Sequence, residues 1–202
     1  MAGVTLVDSG TGNLFSLTEA FRRAGADVRL VRGADDVRDA TCLVLPGVAS
    51  FAAVVRGIAD VRDAILRAVR GGTPLLGICA GMQVLFESSE EGPGDGLGLL
   101  PGRVRALRAP IVPHMGWSPV RSKGDPWFGD LPAQPYVYYA HSYAAPADAP
   151  GVVAVSDHGG PFAAAVRMEG VFGVQFHPEK SGRAGGVLLR TFLREAGVVP
   201  SP

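Results

Sequence analysis

Strand-like and helix-like runs alternate through the first half of this 202-residue chain, and that alternation restricts the fold more than any other feature. Val4 to Val7, Val28 to Val31, Cys42 to Leu45 and Leu75 to Ile78 read as short apolar strands. Between them, Leu14 to Ala24 and Phe51 to Val69 carry helical spacing, the second ending at Gly71 and Gly72. Strands joined by helical crossovers run parallel, so the pattern predicts an α/β fold: a mostly parallel central sheet with helices on both faces. Ligands of such sheets collect at the carboxyl ends of the strands. From about Gly92 to Phe172 the texture changes to glycine, proline and short β-like runs. Tyr136 to Tyr139, Val152 to Val155 and Phe162 to Val166 are the clearest, and they predict antiparallel additions to the same sheet. A final helix is expected over Val187 to Ala196. With 47% hydrophobic residues, no repeat and no long linker, the expectation is a single domain over residues 1–202.

The fourth strand leads into GICAGMQ, residues 77 to 83. Gly-x-Cys-x-Gly after an apolar strand, with Met82, Val84, Leu85 and Phe86 reading as the start of a helix, is the thiol form of a nucleophile elbow. Small flanking residues permit the turn, and free N–H groups at a helix start favour the thiolate, the nucleophilic form of cysteine. A second segment, VQFHPEK at 174 to 180, ends an apolar strand in His177, Pro178 and Glu179. In extended chain His177 and Glu179 would face one site, imidazole as base and carboxylate as its orienter. Cys79, His177 and Glu179 are therefore the candidate catalytic set. Cys42, within an apolar run, reads as core.

LPGVASF, residues 45 to 51, follows another strand end, and Gly47 there would let a backbone N–H turn toward a developing oxyanion. DSGTGNL, residues 8 to 14, lacks both the Gly-Lys-Ser/Thr ending and the three-glycine spacing of nucleotide loops, so nucleotide binding is discounted. Net charge is zero, giving no electrostatic reason to expect nucleic acid or an anionic membrane. No apolar run approaches membrane-spanning length, and Met1, Ala2 and Gly3 lead directly into a strand without a signal-like region. The expected location is the cytoplasm. Two cysteines give no disulfide framework, no Cys/His spacing suits zinc, and no cofactor or metal is expected.

Taken together, GICAGMQ, HPE, PGVASF, GLGLLPGRV (96 to 104), VPHMGW (112 to 117), YAHSY (139 to 143) and GVQFHPEKS (173 to 181) resemble the class I, triad-type glutamine amidotransferases. VPHMGW narrows the resemblance to the glutaminase subunits of imidazole glycerol phosphate synthases, from residue 4 to about residue 195. The resemblance implies a flavodoxin-like amidotransferase domain in which Cys79 attacks the amide of glutamine, His177 moves the proton and Glu179 fixes the His177 tautomer. It implies an oxyanion hole at Gly47, Val48 and Ala80, with the Val48 N–H available after the Gly47–Val48 peptide turns. Gln83, Ser142 and Tyr143 would hold the substrate's amino-acid head. His114, Met115, Trp117, Tyr138 and Lys180 would lie at the interface or ammonia exit toward a (β/α)8 cyclase subunit in a heterodimer. His141 is expected to be structural and His158 a turn residue.

Three positions depart from that pattern: Ser9 in place of a usual tyrosine, Ser118 in place of asparagine and Ala49 in place of glycine. The first two are expected to alter the subunit contact, the third to reduce loop mobility modestly. Three classes of function follow from the residues: an ammonia-donating synthase subunit, a freestanding cysteine amide hydrolase, and a binding module on the same fold. The intact Cys79, His177, Glu179 set argues against the third, and the interface-like PHMGW segment against the second.

Overall fold

The computed structural model describes residues 3–200; Met1 and Ala2, part of the leaderless start expected above, lie outside the described residues, as do Ser201 and Pro202. In the first half, β1 (Gly3–Val7), α1 (Leu14–Arg23), β2 (Asp27–Val31), α2 (Ala34–Arg38), β3 (Leu43–Gly47), α3 (Phe51–Gly57), α4 (Arg62–Arg70) and β4 (Leu75–Cys79) alternate. The elbow helix α5 (Ala80–Gln83) leads to β5 (Phe86–Ser89), β6 (Leu100–Ala106), β7 (His114–Pro119) and β8 (Arg121–Ser122). The remainder comprises β9 (Tyr136–His141), β10 (Tyr143–Ala144), β11 (Val152–Asp157), β12 (Pro161–Met168), β13 (Val171–Val174) and α6 (Gly182–Glu195).

The main sheet has eight strands in the order β2-β1-β3-β4-β13-β12-β11-β8. The strands from β2 to β13 are parallel, whereas β12, β11 and β8 continue the sheet antiparallel. Alternation along β3 explains why both faces are covered. Val44, together with Cys42 just before the strand, joins the core under α1 and α6, while Leu43 and Leu45 join the core under α3 and α4. All five β3 residues are buried, as the unbroken apolar run requires.

Four expectations are corrected. Phe51 to Val69 is two helices, because Gly57 lies against the β1–α1 loop, where a Cβ would sit 2.0 Å from the Ser9 carbonyl oxygen. The elbow helix stops at Gln83 and Phe86 begins a strand: Val84, Leu85 and Phe86 are buried, and an apolar run on all sides does not distinguish helix from strand. Tyr136 to Tyr139 does not join the main sheet but pairs antiparallel with β7 in a separate two-stranded sheet. The last helix starts at Gly182, earlier than its glycines suggest, because Gly185 packs so close to Pro178 that a Cβ would lie 1.9 Å from its carbonyl oxygen.

Candidate functional site

The elbow forms because two glycines let three elements meet. A Cβ at Gly77 would lie 2.6 Å from the Gly81 carbonyl oxygen, and one at Gly81 would lie 1.9 Å from that of Leu45. The first glycine lets α5 fold back over β4, and the second seats α5 on β3. Between them Cys79 is held at φ 54°, ψ −115°, a conformation costly for a non-glycine residue and common at functional turns. A four-residue helix sums few peptide dipoles, so the local positive potential comes mainly from N–H groups such as that of Ala80, which has no acceptor within the helix.

Cys79 lines a cavity of about 380 Å³ together with Val48, Ala80, Gln83, Ser142, Tyr143, His177 and Lys180. The thiol donates to the Ala140 carbonyl over 3.8 Å, and Gln175 Nε2 donates to the sulfur at 3.7 Å. Cys42 is different: fully enclosed in the core, its thiol is pushed up to about 12 by burial.

His177 and Glu179 meet by a route other than strand alternation. The strand ends at Val174, and Pro178–Lys180 is a single 3-10 turn that brings Glu179 Oε1 to 3.0 Å from His177 Nδ1. The turn is fastened to β9, His177 N–H donating to the Tyr138 carbonyl at 2.9 Å and Tyr138 N–H to Ser181 Oγ at 3.0 Å, and is closed on itself by Ser181 Oγ donating to the His177 carbonyl at 2.6 Å. Both side chains are almost fully enclosed, and among the described residues the buried Glu179 Oε2 has no hydrogen-bond partner. Burial alone would lower the His177 pKa, but hydrogen bonding and charge from Cys79 and Glu179 outweigh it and raise it to about 9. The arrangement can therefore hold an imidazolium beside the Cys79 sulfur, its other nitrogen bound by a carboxylate.

Around this trio the remaining residues divide. Gly47 is buried beneath the elbow, where an added Cβ would meet Val54, Ala80 and the Gly81 nitrogen at 2.8 to 2.9 Å. Val48 is exposed, and its N–H donates to the Thr11 carbonyl at 2.8 Å rather than being free for a ligand at Cys79. Gln83 Nε2 donates to the Tyr143 carbonyl at 2.8 Å and to Gln175 Oε1 at 3.1 Å. A carbonyl oxygen can only accept, so this orientation of the amide is forced, and both of its hydrogens are used within the protein.

Met115, Trp117, Tyr138 and Lys180 cluster on the outer face of the two-stranded sheet. Trp117 and Tyr138 are paired across the strands with ring centroids 6.1 Å apart, and the Lys180 ammonium lies 5.6 Å from the Tyr138 ring centre. Met115 and Trp117 are more than half exposed. His114 does not belong to that surface. Strand alternation turns it inward, where it is 3% exposed and stacks on Tyr139 and His158. His158 lies in the turn after β11, as expected, and in addition stacks its ring on His114. Ser9 is buried and bonded to Thr11 Oγ1, while Ser118 Oγ lies 2.8 Å from His114 Nε2.

Sequence reasoning missed Thr11, Ala140 and Gln175. Gln175, fully buried just past the apolar strand β13, was the one with a signal: a polar side chain among core residues needs a partner. Among the described residues no cluster of three or more His, Cys, Asp or Glu is arranged to hold a metal, and no helix is long and apolar enough to cross a membrane.

The model of the class-I glutamine amidotransferase family matches residues 5–196, and a glutamine amidotransferase crystal structure superposes with a TM-score of 0.77 at 23% identity, covering 97% of this chain and 100% of the other. Imidazole glycerol phosphate synthase subunit HisH of Deinococcus radiodurans is 45% identical over 95% of this chain and 93% of its own. That of Natronomonas pharaonis is 46% identical over 95% and 94%. The chain belongs to the class-I glutamine amidotransferases and, within them, to the family of HisH subunits.

Proposed function

We propose that this chain, as one amidotransferase domain over residues 1–202, hydrolyses glutamine to glutamate and ammonia and delivers the ammonia to a synthase partner making imidazole glycerol phosphate for histidine biosynthesis. The partner is a (β/α)8 cyclase subunit, and the working location is the cytoplasm. The observation that carries the reading is Cys79, strained at its elbow, sharing one cavity with Gln83 and with His177, whose Nδ1 is held from behind by Glu179.

In this reading Cys79 Sγ attacks the side-chain amide carbon of glutamine and His177 holds the thiol proton. Glu179 accepts from His177 Nδ1 and leaves Nε2 to face the reacting atoms. When the tetrahedral adduct collapses, the C–N bond breaks and His177 returns the proton to the departing ammonia. Water then attacks the glutamyl thioester, with His177 taking its proton, and glutamate leaves as the thiol is restored. Ala80 N–H is one oxyanion donor. The other is Val48 N–H, which must first leave the Thr11 carbonyl, so the loop as it stands is a resting state. Both Gln83 Nε2 hydrogens being committed, Gln83 Oε1 is the acceptor left for the substrate's α-ammonium group, beside Ser142 and Tyr143.

Purified chain should be assayed for glutamate release with and without the cyclase subunit, and treated with an electrophilic glutamine analogue. The reading expects Cys79 to be the labelled residue and turnover to rise on adding the cyclase. Labelling at Cys42, or turnover surviving in Cys79→Ala, would overturn it.

A further inference from the structure

His114, His141 and His158 form a ring cluster with Tyr139 and Phe162, reaching the wall of the Cys79 cavity at His141, that the chemistry above does not use. His114 lies stacked 4.2 Å from His158 and edge-on 5.1 Å from His141, and both His114 and His141 are buried. The hydrogen-bond directions follow by elimination. His141 Nδ1 is 2.9 Å from the Tyr143 carbonyl, which only accepts, so Nδ1 carries the proton and the neutral ring's Nε2 accepts. His114 Nδ1, 3.1 Å from that nitrogen, must then donate. That leaves His114 Nε2 an acceptor, and Ser118 Oγ, 2.8 Å away, donates to it. Neutral rings are what this setting favours: burial first, then the neighbouring His158 ring, lower His114 to about 4, and burial does most to lower His141 to about 3.

The chain of donors ends at the same carbonyl that fixes Gln83. Tyr143 O accepts from both His141 Nδ1 and Gln83 Nε2, while Gln83 passes its second hydrogen to Gln175, and Gln175 donates to Cys79 Sγ. At its other end, Ser118 and His114 are on the strand that carries Met115 and Trp117 outward. We propose that Ser118, His114 and His141 are positioning residues: a one-way hydrogen-bond chain from β7 to the Tyr143 carbonyl that sets the Gln83 amide and ties the substrate's amino-acid end to the exposed strand. The role of Gln83 toward glutamine rests on the functional reading above; the direction of the chain does not. A serine in place of asparagine at 118 retains the function because either side chain has a hydrogen to donate to His114 Nε2.

The test has two arms. In the purified full-length chain at neutral pH, histidine side-chain ¹⁵N shifts should show both His114 and His141 as neutral Nδ1–H tautomers; an Nε2–H tautomer or an imidazolium at either position overturns the chain. In the complex with the cyclase, His141→Phe keeps the ring and loses the donor, and Ser118→Ala, on a half-exposed strand, guards against the first variant failing to fold. Each should raise KM for glutamine several-fold to about tenfold, the scale of one hydrogen bond, with kcat changed less than twofold, and Ser118→Asn should restore KM. An unchanged KM in Ser118→Ala, a loss confined to kcat, or failure of Ser118→Asn to restore it would overturn the positioning role. If Cys79→Ala still turned over while both tautomers were as stated, the functional reading would fail and the chain of donors would stand.

Discussion

Cys79 and Cys42 are both buried, yet only Cys79 has an imidazole that gains from the sulfur beside it. At Cys42 burial acts alone and holds the proton on. At Cys79 the raised His177 pKa records the other half of the exchange: what stabilises the imidazolium is in large part the sulfur beside it. Removing the sulfur should therefore move His177. In Cys79→Ala the contributions from Cys79 vanish, the lowering by burial stays and only Glu179 opposes it, so the His177 pKa should fall from about 9 toward or below the ordinary 6.5. An NMR titration of the His177 ring reads this directly, and a value still near 9 in the variant would refute the coupling. In the proposed mechanism this pKa belongs to the resting enzyme with its free sulfur, so the imidazolium is lost as pH rises through about 9 and kcat/KM, which reports the free enzyme, should decline there on the alkaline side.

The β3–α3 and β1–α1 loops interact through a single main-chain bond, Val48 N–H to Thr11 O, and their behaviour depends on how readily that bond is exchanged. Ala49 follows the peptide that must turn. Replacing it by glycine widens the accessible backbone states by about 0.5–1 kcal/mol, so Ala49→Gly should raise the basal glutaminase rate about 2- to 5-fold and the partner-stimulated rate less. Val48→Pro has no N–H to offer and should lower kcat by about 10²-fold or more. Gly47→Val is a poorer probe, since its Cβ collides with the elbow even at rest. Unaltered rates in both Ala49→Gly and Val48→Pro would remove this loop from the oxyanion hole.

These two loops also mark where the sequence stops being informative. The elbow was readable because Gly77, Cys79 and Gly81 are local in sequence and each is explained by a contact within or beside one turn. The parallel sheet was readable from period and run length. Thr11 was not, because its function is a carbonyl oxygen offered to a residue far along the chain, and no side-chain pattern encodes it. The inward turn of His114 depends on which face of β7 the core occupies, which is set by pairing with β9. The meeting of His177 and Glu179 was anticipated through a strand geometry that the 3-10 turn replaces, because Pro178 is as compatible with a turn as with an extended end.

For the molecule as a whole, the proposed trio of Cys79, His177 and Glu179, with the proposed oxyanion donor Val48 N–H turned to Thr11, means that the resting chain should be a poor glutaminase. Hydrolysis without an acceptor wastes ammonia, and the free energy that turns the loop must come from a partner that binds the turned conformation better than the resting one. If loop population is the only limit, a tenfold stimulation needs about 1.4 kcal/mol of such preference and a thousandfold one about three times that. The surface placed to gather this energy is the exposed Met115 and Trp117 with the half-buried Tyr138 beside them, contiguous through Lys180 with the cavity mouth. An exposed tryptophan at the centre of such a patch is a typical anchor, worth about 2 kcal/mol or more, so Trp117→Ala should weaken cyclase binding roughly 30-fold while sparing the low basal rate. At a cyclase concentration that saturates wild type, stimulation of the variant should be partial, and raising the cyclase should recover it. Calorimetric titration alongside glutamate release checks both halves: unchanged affinity would move the anchor elsewhere, and full turnover of the purified chain without any partner would show that the loop is not what holds the enzyme back.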